Sequence, residues 1–451
     1  MDAALLDRRT RTHDECVPPA LVDRLLALGH ADVVRAQALA EDGDWFCARA
    51  WARRLARRGE TDEALAVLAP YVGTGWVTAA EETARVLEAA GRGEEAISLL
   101  RPFTRDGERS ALRELAPLLV RHGRGEEAYA LLLPHIEDGH LAEALADVAV
   151  GLGRGDEVAE LLTARIAPAD PCARCGSPEC KVRRAGPFNA VALLASVRER
   201  QGRTDEAVEV LRTYGSAPVD GRDPLAGLLA RHDRIDELRA HAAGGDRLEA
   251  VTELAELLEA RGDVTGAVEA YRRHAEHERW PQPPVLLAQL LARHGRGAEA
   301  IEVLRAHDSS DDHVLGVLCG LFAAEGRAAE GLAHLDALKA RREGEERELF
   351  RLCGPLMAAC GRLDEVEQAA RAHAEGASPY ATEGLAHLLA CCGRLEEAAA
   401  LLEADRLDHR QDLAPLLLEL GRAEEAVTLL RSPRADAPAP EPRGYGDCPP
   451  F

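Results

Sequence analysis

Three closely spaced cysteines are the residues of this 451-residue chain best suited to bind a metal ion. Cys172, Cys175 and Cys180 form a C-x2-C-x4-C arrangement, and the first two are spaced to share one tetrahedral zinc ion around a tight turn. The position where a zinc knuckle would carry its fourth ligand is an alanine, so that ligand would come from His135 or His140. A zinc site is one interpretation of this segment, and a solvated loop with three free thiols is the other.

Histidines and acidic pairs recur too regularly to form a single active site. His122, His232 and His294 each directly precede the same kind of turn, at the end of a helix whose dipole favours a protonated imidazole. A catalytic group is expected once in a chain, not at every repeat. The sequence also lacks the GxxxxGK[ST], G-x-S-x-G and HExxH motifs. We therefore predict that the protein is not an enzyme.

The elements that position these residues follow an internal repeat of about thirty residues. Most units have a leucine-rich segment, a Gly-Arg turn and a segment close to Glu-Glu-Ala, and Asp233 takes the glycine position once. Self-similarity at this period is typical of a solenoid, in which each unit buries its apolar face against its neighbours. The turn glycines are Gly29, Gly59, Gly91, Gly123, Gly153, Gly202, Gly262, Gly295, Gly326, Gly361, Gly393 and Gly421.

The unit around Gly295 shows how each repeat is built. Leu287 and Leu291 lie four residues apart and share one face of a first helix, which the glycine ends as a C-cap residue. Ala300 and Leu304 are again four residues apart and give a second helix its inner face. Each unit is therefore predicted to be a helical hairpin.

These slots resemble the tetratricopeptide repeat (TPR) family, whose pattern has Leu and a small residue in the first helix, Gly at the turn and Ala in the second helix. The resemblance covers residues 20–431 and implies an all-α, right-handed solenoid of about thirteen antiparallel helix pairs. The family's usual aromatic residues are mostly replaced by Leu or Ala, so the repeats are divergent. All basic residues except Lys181 and Lys339 are arginine, which indicates a bacterial source with a GC-rich genome.

Four segments are predicted from this repeat. Residues 1–19 form a charged N-terminal tail, and residues 20–431 form the TPR-like array. The interval from Gly153 to Gly202 is too long for one repeat, which marks 167–186 as an insert that contains the three cysteines. The proline-rich residues 432–451 cannot continue a helix and are predicted to be a disordered tail.

The TPR resemblance implies that first helices line a concave groove that binds peptides. The first-helix positions expected to be exposed in the early repeats are mainly basic: Phe46, Arg49, Arg53, Arg57, Arg85, Arg113 and Arg121. Those of later repeats are acidic: Glu143, Asp147, Asp220, Asp223, Glu249, Glu256 and Glu259. Clustered arginines suit carboxylates, so an acidic protein or peptide is the expected partner. The alternative is that these residues form ordinary solvated faces.

Composition restricts the remaining classes of function. The net charge of −23 disfavours nucleic acid and anionic membranes, which attract basic surfaces. No signal peptide or membrane span is expected, and eleven cysteines in a chain of helices indicate a reducing, cytoplasmic location. We predict a non-catalytic interaction scaffold. One alternative is a metal- or redox-responsive regulator that acts through the cysteine insert. The other is an RNA-binding helical repeat protein, because the pentatricopeptide family has a similar Gly-Arg-x-Glu-Glu-Ala turn.

Overall fold

The protein folds into α-helices throughout the residues that its computed structural model describes. These are residues 2–105, 107–166, 190–215, 223–244, 247–275, 282–306, 311–339, 346–372 and 379–432. They contain 27 α-helices and one 3-10 turn, and no strand occurs among them. None of the helices in these ranges is long and apolar enough to cross a membrane. The predicted all-α fold of antiparallel helix pairs is confirmed.

The chain divides into two compact units, which we call the terminal unit (residues 1–100 and 361–451) and the central unit (residues 101–360). The terminal unit contains α1 Ala3–Thr12, α2 Pro19–Ala27, α3 Ala31–Leu39, α4 Trp45–Arg57, α5 Thr61–Val72, α6 Val77–Ala89 and the first part of α7 Gly93–Arg105. From the C-terminal part of the chain it contains α23 Leu363–Ala372, α24 Pro379–Cys391, α25 Leu395–Glu403, α26 Arg410–Glu419 and α27 Ala423–Arg431.

The central unit continues the same series of helix pairs. Its helices are α8 Arg109–Arg121, α9 Gly125–Leu132, α10 Gly139–Gly151, α11 Gly155–Ile166, α12 Ala190–Arg200, α13 Thr204–Tyr214, α14 Pro224–Arg231 and α15 Ile235–Ala242. They are followed by α16 Leu248–Ala260, α17 Val264–Ala275, α18 Gln282–Arg293, α19 Gly297–Arg305, α20 Asp312–Ala324, α21 Ala328–Lys339 and α22 Glu346–Ala359. A 3-10 turn, Leu133–His135, follows α9.

The repeated glycine ends the first helix of each pair in a left-handed conformation. Gly295 has φ +70°, and the N–H of Arg296, the next residue, donates to the carbonyl of Leu291 at 2.9 Å. This is the Schellman hydrogen bond, which satisfies a carbonyl that the helix end would otherwise leave free. Asp233 occupies the same conformation at φ 62°, as its position in the repeat predicts.

The predicted apolar slots form the core. In the Gly295 unit, Leu287 is 3% exposed and Ala288, Leu291 and Ala300 are fully buried. The small Ala288 side chain lets a neighbouring helix approach closely, and the corresponding Ala226 is also fully buried. The core of the central unit is therefore made mainly of leucine and alanine from successive repeats.

The N-terminal segment is not the tail that its charge suggests. Residues Ala3–Thr12 form helix α1, and the side chains of Leu6, Cys16 and Val17 are buried. The backbone N–H of Val17 donates to the buried carboxylate of Asp44 at 2.8 Å. These few apolar side chains and this one hydrogen bond attach the segment to the first repeats. The C-terminal tail beyond residue 432 lies outside the described residues.

The left-handed Asp233 provides a test of the turn. We expect Asp233→Gly to be more stable than Asp233→Ala by about 1 kcal/mol, because only glycine adopts a positive φ without a Cβ clash. Both variants lose the exposed Arg261–Asp233 ion pair, so that loss cancels in the comparison. Urea unfolding midpoints of the two variants measure the difference, and equal midpoints would contradict the assigned conformation.

Candidate functional site

In several repeats, the arginine that follows the turn residue joins successive helix pairs. Arg154 binds Glu157 of its own helix pair at 2.8 Å and Glu126 of the preceding pair at 2.9 Å. Its guanidinium also lies 3.9 Å from the centre of the Tyr129 ring. The hydrogen bond from Arg154 lowers the pKa of Glu157. The Glu-Glu pairs at helix starts thus have a structural role, which the arginine at the preceding turn could have revealed in the sequence.

The repeated histidines are also structural. His232 Nε2 lies 2.9 Å from Glu199 Oε1, and Arg231 donates twice to the same carboxylate. His294 repeats the arrangement with Glu259 at 2.8 Å. In both cases the carboxylate comes from the first helix of the preceding pair. These histidines therefore connect neighbouring first helices at the surface.

One set of arginines departs from this repeated pattern. Arg53 on α4 donates from Nε and Nη2 to the two carboxylate oxygens of Glu82, at 2.5 and 2.7 Å. Arg85 donates to the same carboxylate at 3.2 Å. The Glu82 side chain is only 3% exposed, whereas both arginines are almost half exposed. A buried carboxylate on α6 thus holds two guanidinium groups at the surface of the terminal unit.

Arg49, one turn before Arg53 on α4, adds a third positive charge. Its guanidinium lies 5.5 Å from the centre of the Phe46 ring and has no ion pair with any described residue. Partial burial lowers the pKa of Arg49, and the neighbouring Arg53 and Arg85 lower it further. We call Arg49, Arg53 and Arg85 the arginine cluster. Within this cluster, Arg49 adds a guanidinium without an ion pair to any described residue beside the two that Glu82 holds.

Phe46 is not the exposed groove contact that the sequence predicts. It is 6% exposed, and His13 packs edge-on against its ring with 5.4 Å between the ring centres. The prediction was wrong because it treated residues 1–19 as a tail, whereas His13 at the end of α1 contacts Phe46. Arg57 remains exposed, and its Nε donates to the carbonyl of Arg53 at 3.3 Å.

The other two predicted basic positions, Arg113 and Arg121, lie on α8 in the central unit. Arg113 is exposed beside a cavity of about 1220 Å³. First helices of four successive pairs, α8, α10, α12 and α14, contribute to its lining. Leu193 and Leu228 belong to the apolar part, and Glu143 belongs to the polar part.

Three of the predicted acidic positions form ion pairs within the central unit. Asp147 pairs with Arg200 at 2.5 Å, and Asp223 pairs with Arg247 at 3.6 Å and lies 2.7 Å from His241 Nε2. Glu259 is bound by Arg293 at 2.8 Å, and His294 lies at the same distance. Asp220 lies outside the described residues. The acidic middle of the predicted groove is therefore partly neutralised by the protein itself.

The predicted zinc ligands Cys172, Cys175 and Cys180 lie outside the described residues. The two proposed sources of a fourth ligand, His135 and His140, both line the cavity of the central unit. Within the described ranges, no group of three or more His, Cys, Asp or Glu side chains could hold a metal ion.

Solved structures similar to this chain show low sequence identity. A chain from a structure of Naa15/Naa10 bound to HypK-THB has 14% identity and TM-score 0.43, and the match covers 95% of this chain and 67% of that one. The pentatricopeptide repeat protein PPR10 from maize has 16% identity and TM-score 0.33, with 91% and 66% covered. The APC/C hetero-tetramer Cut9-Hcn1 has 12% identity and TM-score 0.26, with 89% and 94% covered.

The chain spans about two thirds of the length of the first two of these structures. No family model and no curated protein matches it. Its own helix pairs and Schellman turns show the TPR-like helical repeat fold.

The buried carboxylate of Glu82, which holds two side chains of the arginine cluster, should contribute to the stability of the protein. Glu82→Gln should lower the free energy of unfolding by about 1–3 kcal/mol, because Arg53 and Arg85 lose a charge-assisted acceptor. The control is Glu63→Gln on α5, an exposed position with the same change in charge. Urea unfolding followed by circular dichroism compares the two variants. If both unfold at the wild-type midpoint, Glu82 does not organise the cluster.

Proposed function

We propose that the protein is a non-catalytic scaffold that binds an acidic peptide or protein segment through its first helices. The observation that supports this proposal is the guanidinium of Arg49, which has no ion pair with a described residue although the net charge of the chain is −23. Helical repeat arrays present extended surfaces suited to protein partners.

The cluster is arranged to receive a carboxylate. Glu82 fixes Arg53 through two hydrogen bonds, so this side chain loses little freedom when a ligand binds beside it. Arg49 is partly desolvated and pairs with no described residue, so its guanidinium would gain most from an incoming anion. We propose that Arg49 and Arg85 contact the ligand while Arg53 and Glu82 hold the site in place.

Fluorescence anisotropy with a labelled penta-glutamate peptide tests this proposal. Arg49→Glu combined with Arg85→Glu should weaken binding at least about tenfold, because each reversal replaces attraction by repulsion. Arg53 is left unchanged, since its loss would also free the buried Glu82. The matched control is Arg54→Glu, which reverses an exposed charge on the same helix outside the cluster.

The control variant should bind the peptide almost as well as the wild type, and all variants should keep their helical circular dichroism. Binding should weaken steeply with salt, and a penta-glutamine peptide should not bind. Equal binding by the double variant and Arg54→Glu would show that the attraction comes from general surface charge. That result would reject the arginine cluster as the site.

An RNA-binding function is the alternative from a different class, and the net charge argues against it. A labelled single-stranded oligouridine in the same assay separates the two functions. RNA binding with a steep salt dependence, without penta-glutamate binding, would favour the alternative. We expect the opposite pattern.

We also propose that Cys172, Cys175 and Cys180 bind zinc together with His135 or His140. The insert that contains these cysteines leads into α12, and Ala192 and Leu193 of that helix line the same cavity as the two histidines. We place the protein in the cytoplasm as part of this proposal, because a reducing compartment keeps the thiols available.

Metal analysis of the purified protein should find about one zinc per chain if this site exists. Replacing the three cysteines by serine should remove the metal, and either His135→Ala or His140→Ala should weaken its retention. Substitution of the surface histidine His232, which pairs with Glu199, is the control and should leave the zinc content unchanged. Wild-type protein without zinc would reject the proposal.

A further inference from the structure

The terminal unit contains both ends of the repeat array, and charged side chains connect them. Arg24 on α2 donates to Glu419 on α26, with 2.7 Å between Nε and Oε1. Arg431, the last residue of α27, donates to the side chain of Gln37 at 2.7 Å and to the carboxylate of Asp42 at 2.8 Å. These contacts join residues that are almost 400 positions apart in the sequence.

A third contact lies at the start of α26. The guanidinium of Arg410 reaches the Asp14 carboxylate at 3.3 Å and the backbone carbonyl of Ser432 at 3.0 Å. Asp14 belongs to the segment between α1 and α2, so the same arginine contacts both ends of the array. Each of the three contacts joins an arginine of one end to a carboxylate of the other, and the arginine is N-terminal in the first and C-terminal in the other two.

Two of these arginines are largely withdrawn from water. The Arg410 side chain is 5% exposed and that of Arg431 is 13% exposed. A guanidinium at such depth depends on its partners, because losing them leaves a desolvated charge. The charge of Arg431 also acts inside the first repeats: burial raises the pKa of Cys16 to about 11, and Arg431 is one of the groups that oppose this rise.

The connection is a property of the ends and not of the repeat. The turn arginines bind carboxylates of their own helix pair or of the neighbouring pair along the chain, as Arg154 does. Arg24, Arg410 and Arg431 instead bind partners at the opposite end of the sequence. A repeat array normally needs polar caps at its two ends. In this chain, charged groups of the first and last repeats serve that purpose for each other.

We propose that Arg24–Glu419, Arg410–Asp14 and Arg431–Asp42 form a terminal latch that holds the first and last repeats together and opens as ionic strength rises. The proposal follows from the contact chemistry. Attraction between charged groups weakens as the Debye length falls from about 30 Å at 0.01 M salt to about 3 Å at 1 M. Salt reaches these three pairs through their carboxylates, because Glu419, Asp14 and Asp42 are 37%, 39% and 81% exposed. The apolar contacts within each repeat are not weakened in this way, so the latch should open before the helix pairs unfold.

Energy transfer between fluorophores at the two ends measures the latch in the full-length protein. The exposed positions Leu28, at the end of α2, and Thr428 on α27 can carry the dyes as unnatural amino acids. Transfer should be high at low salt and fall at least about twofold by 1 M sodium chloride. Helical circular dichroism should stay constant over the same range.

Arg431→Gln should lower the salt concentration at which transfer is half lost. Its matched control is Arg422→Gln in the same repeat, because Arg422 binds Glu425 and Glu403, both near it in the sequence. Arg24→Glu should open the latch in the same way by placing two carboxylates together. Adding Glu419→Arg should restore the wild-type salt midpoint, because the pair is then re-formed with its charges exchanged.

The double variant Arg24→Glu with Glu419→Arg keeps the test valid even if Arg431→Gln alone perturbs folding. Transfer that does not change with salt would show that the ends form a permanent junction and would overturn the latch. A double variant that stays as open as Arg24→Glu alone would also overturn it, because the contact would then not depend on opposite charges.

Discussion

The left-handed residue at the end of each first helix is the constraint on which the rest of the structure depends. It reverses the chain within one Schellman turn, as at Gly295, and so brings the second helix against the first. Leucine and alanine can then fill the space between them, because the turn fixes which faces meet. Asp233 shows that the conformation is required even where glycine is absent. A substitution there affects helix pairing as well as the turn.

The same turn determines where charges lie. The residue after the left-handed one is usually arginine. The backbone hydrogen bond that its N–H donates at the helix end also places its side chain between two helix pairs, as with Arg154. Most glutamates at helix starts are therefore neutralised within the fold, although the chain is strongly acidic overall. Arg49 is informative against this background, because it has no such partner in the described part of the chain. A charged side chain without a partner is a better indication of a binding surface than a high density of charges that pair with one another.

The sequence was sufficient to predict the structural features that recur from repeat to repeat. It was not sufficient to predict contacts that occur only once. The turn positions, the Leu291 and Ala300 slots and the helical pairs follow from local periodicity, which needs no knowledge of distant residues. The burial of Phe46 depends on His13 from a segment that has no repeat pattern. The contact of Arg24 with Glu419 joins opposite ends of the chain, and no local pattern encodes such a distance. The pairing of Arg53 with the buried Glu82 spans only 29 residues, but it departs from the repeated pattern, so the sequence did not predict it.

The two units differ in how many polar side chains they bury, and the repeat alone does not explain this difference. The central unit is packed mainly with leucine and alanine, and among the described residues its buried polar side chains are His274 and two tyrosines, Tyr129 and Tyr271. The terminal unit buries Asp44, Glu81, Glu82, Thr83, His409 and Arg410. Burying such groups is unfavourable unless each is paired, so a unit that contains several of them depends on specific partners for its geometry. Leucine packing tolerates substitution at many positions, but pairs such as Arg53–Glu82 and Arg410–Asp14 each permit few arrangements. The arginine cluster and the terminal latch therefore occur in the unit whose structure is most specifically determined.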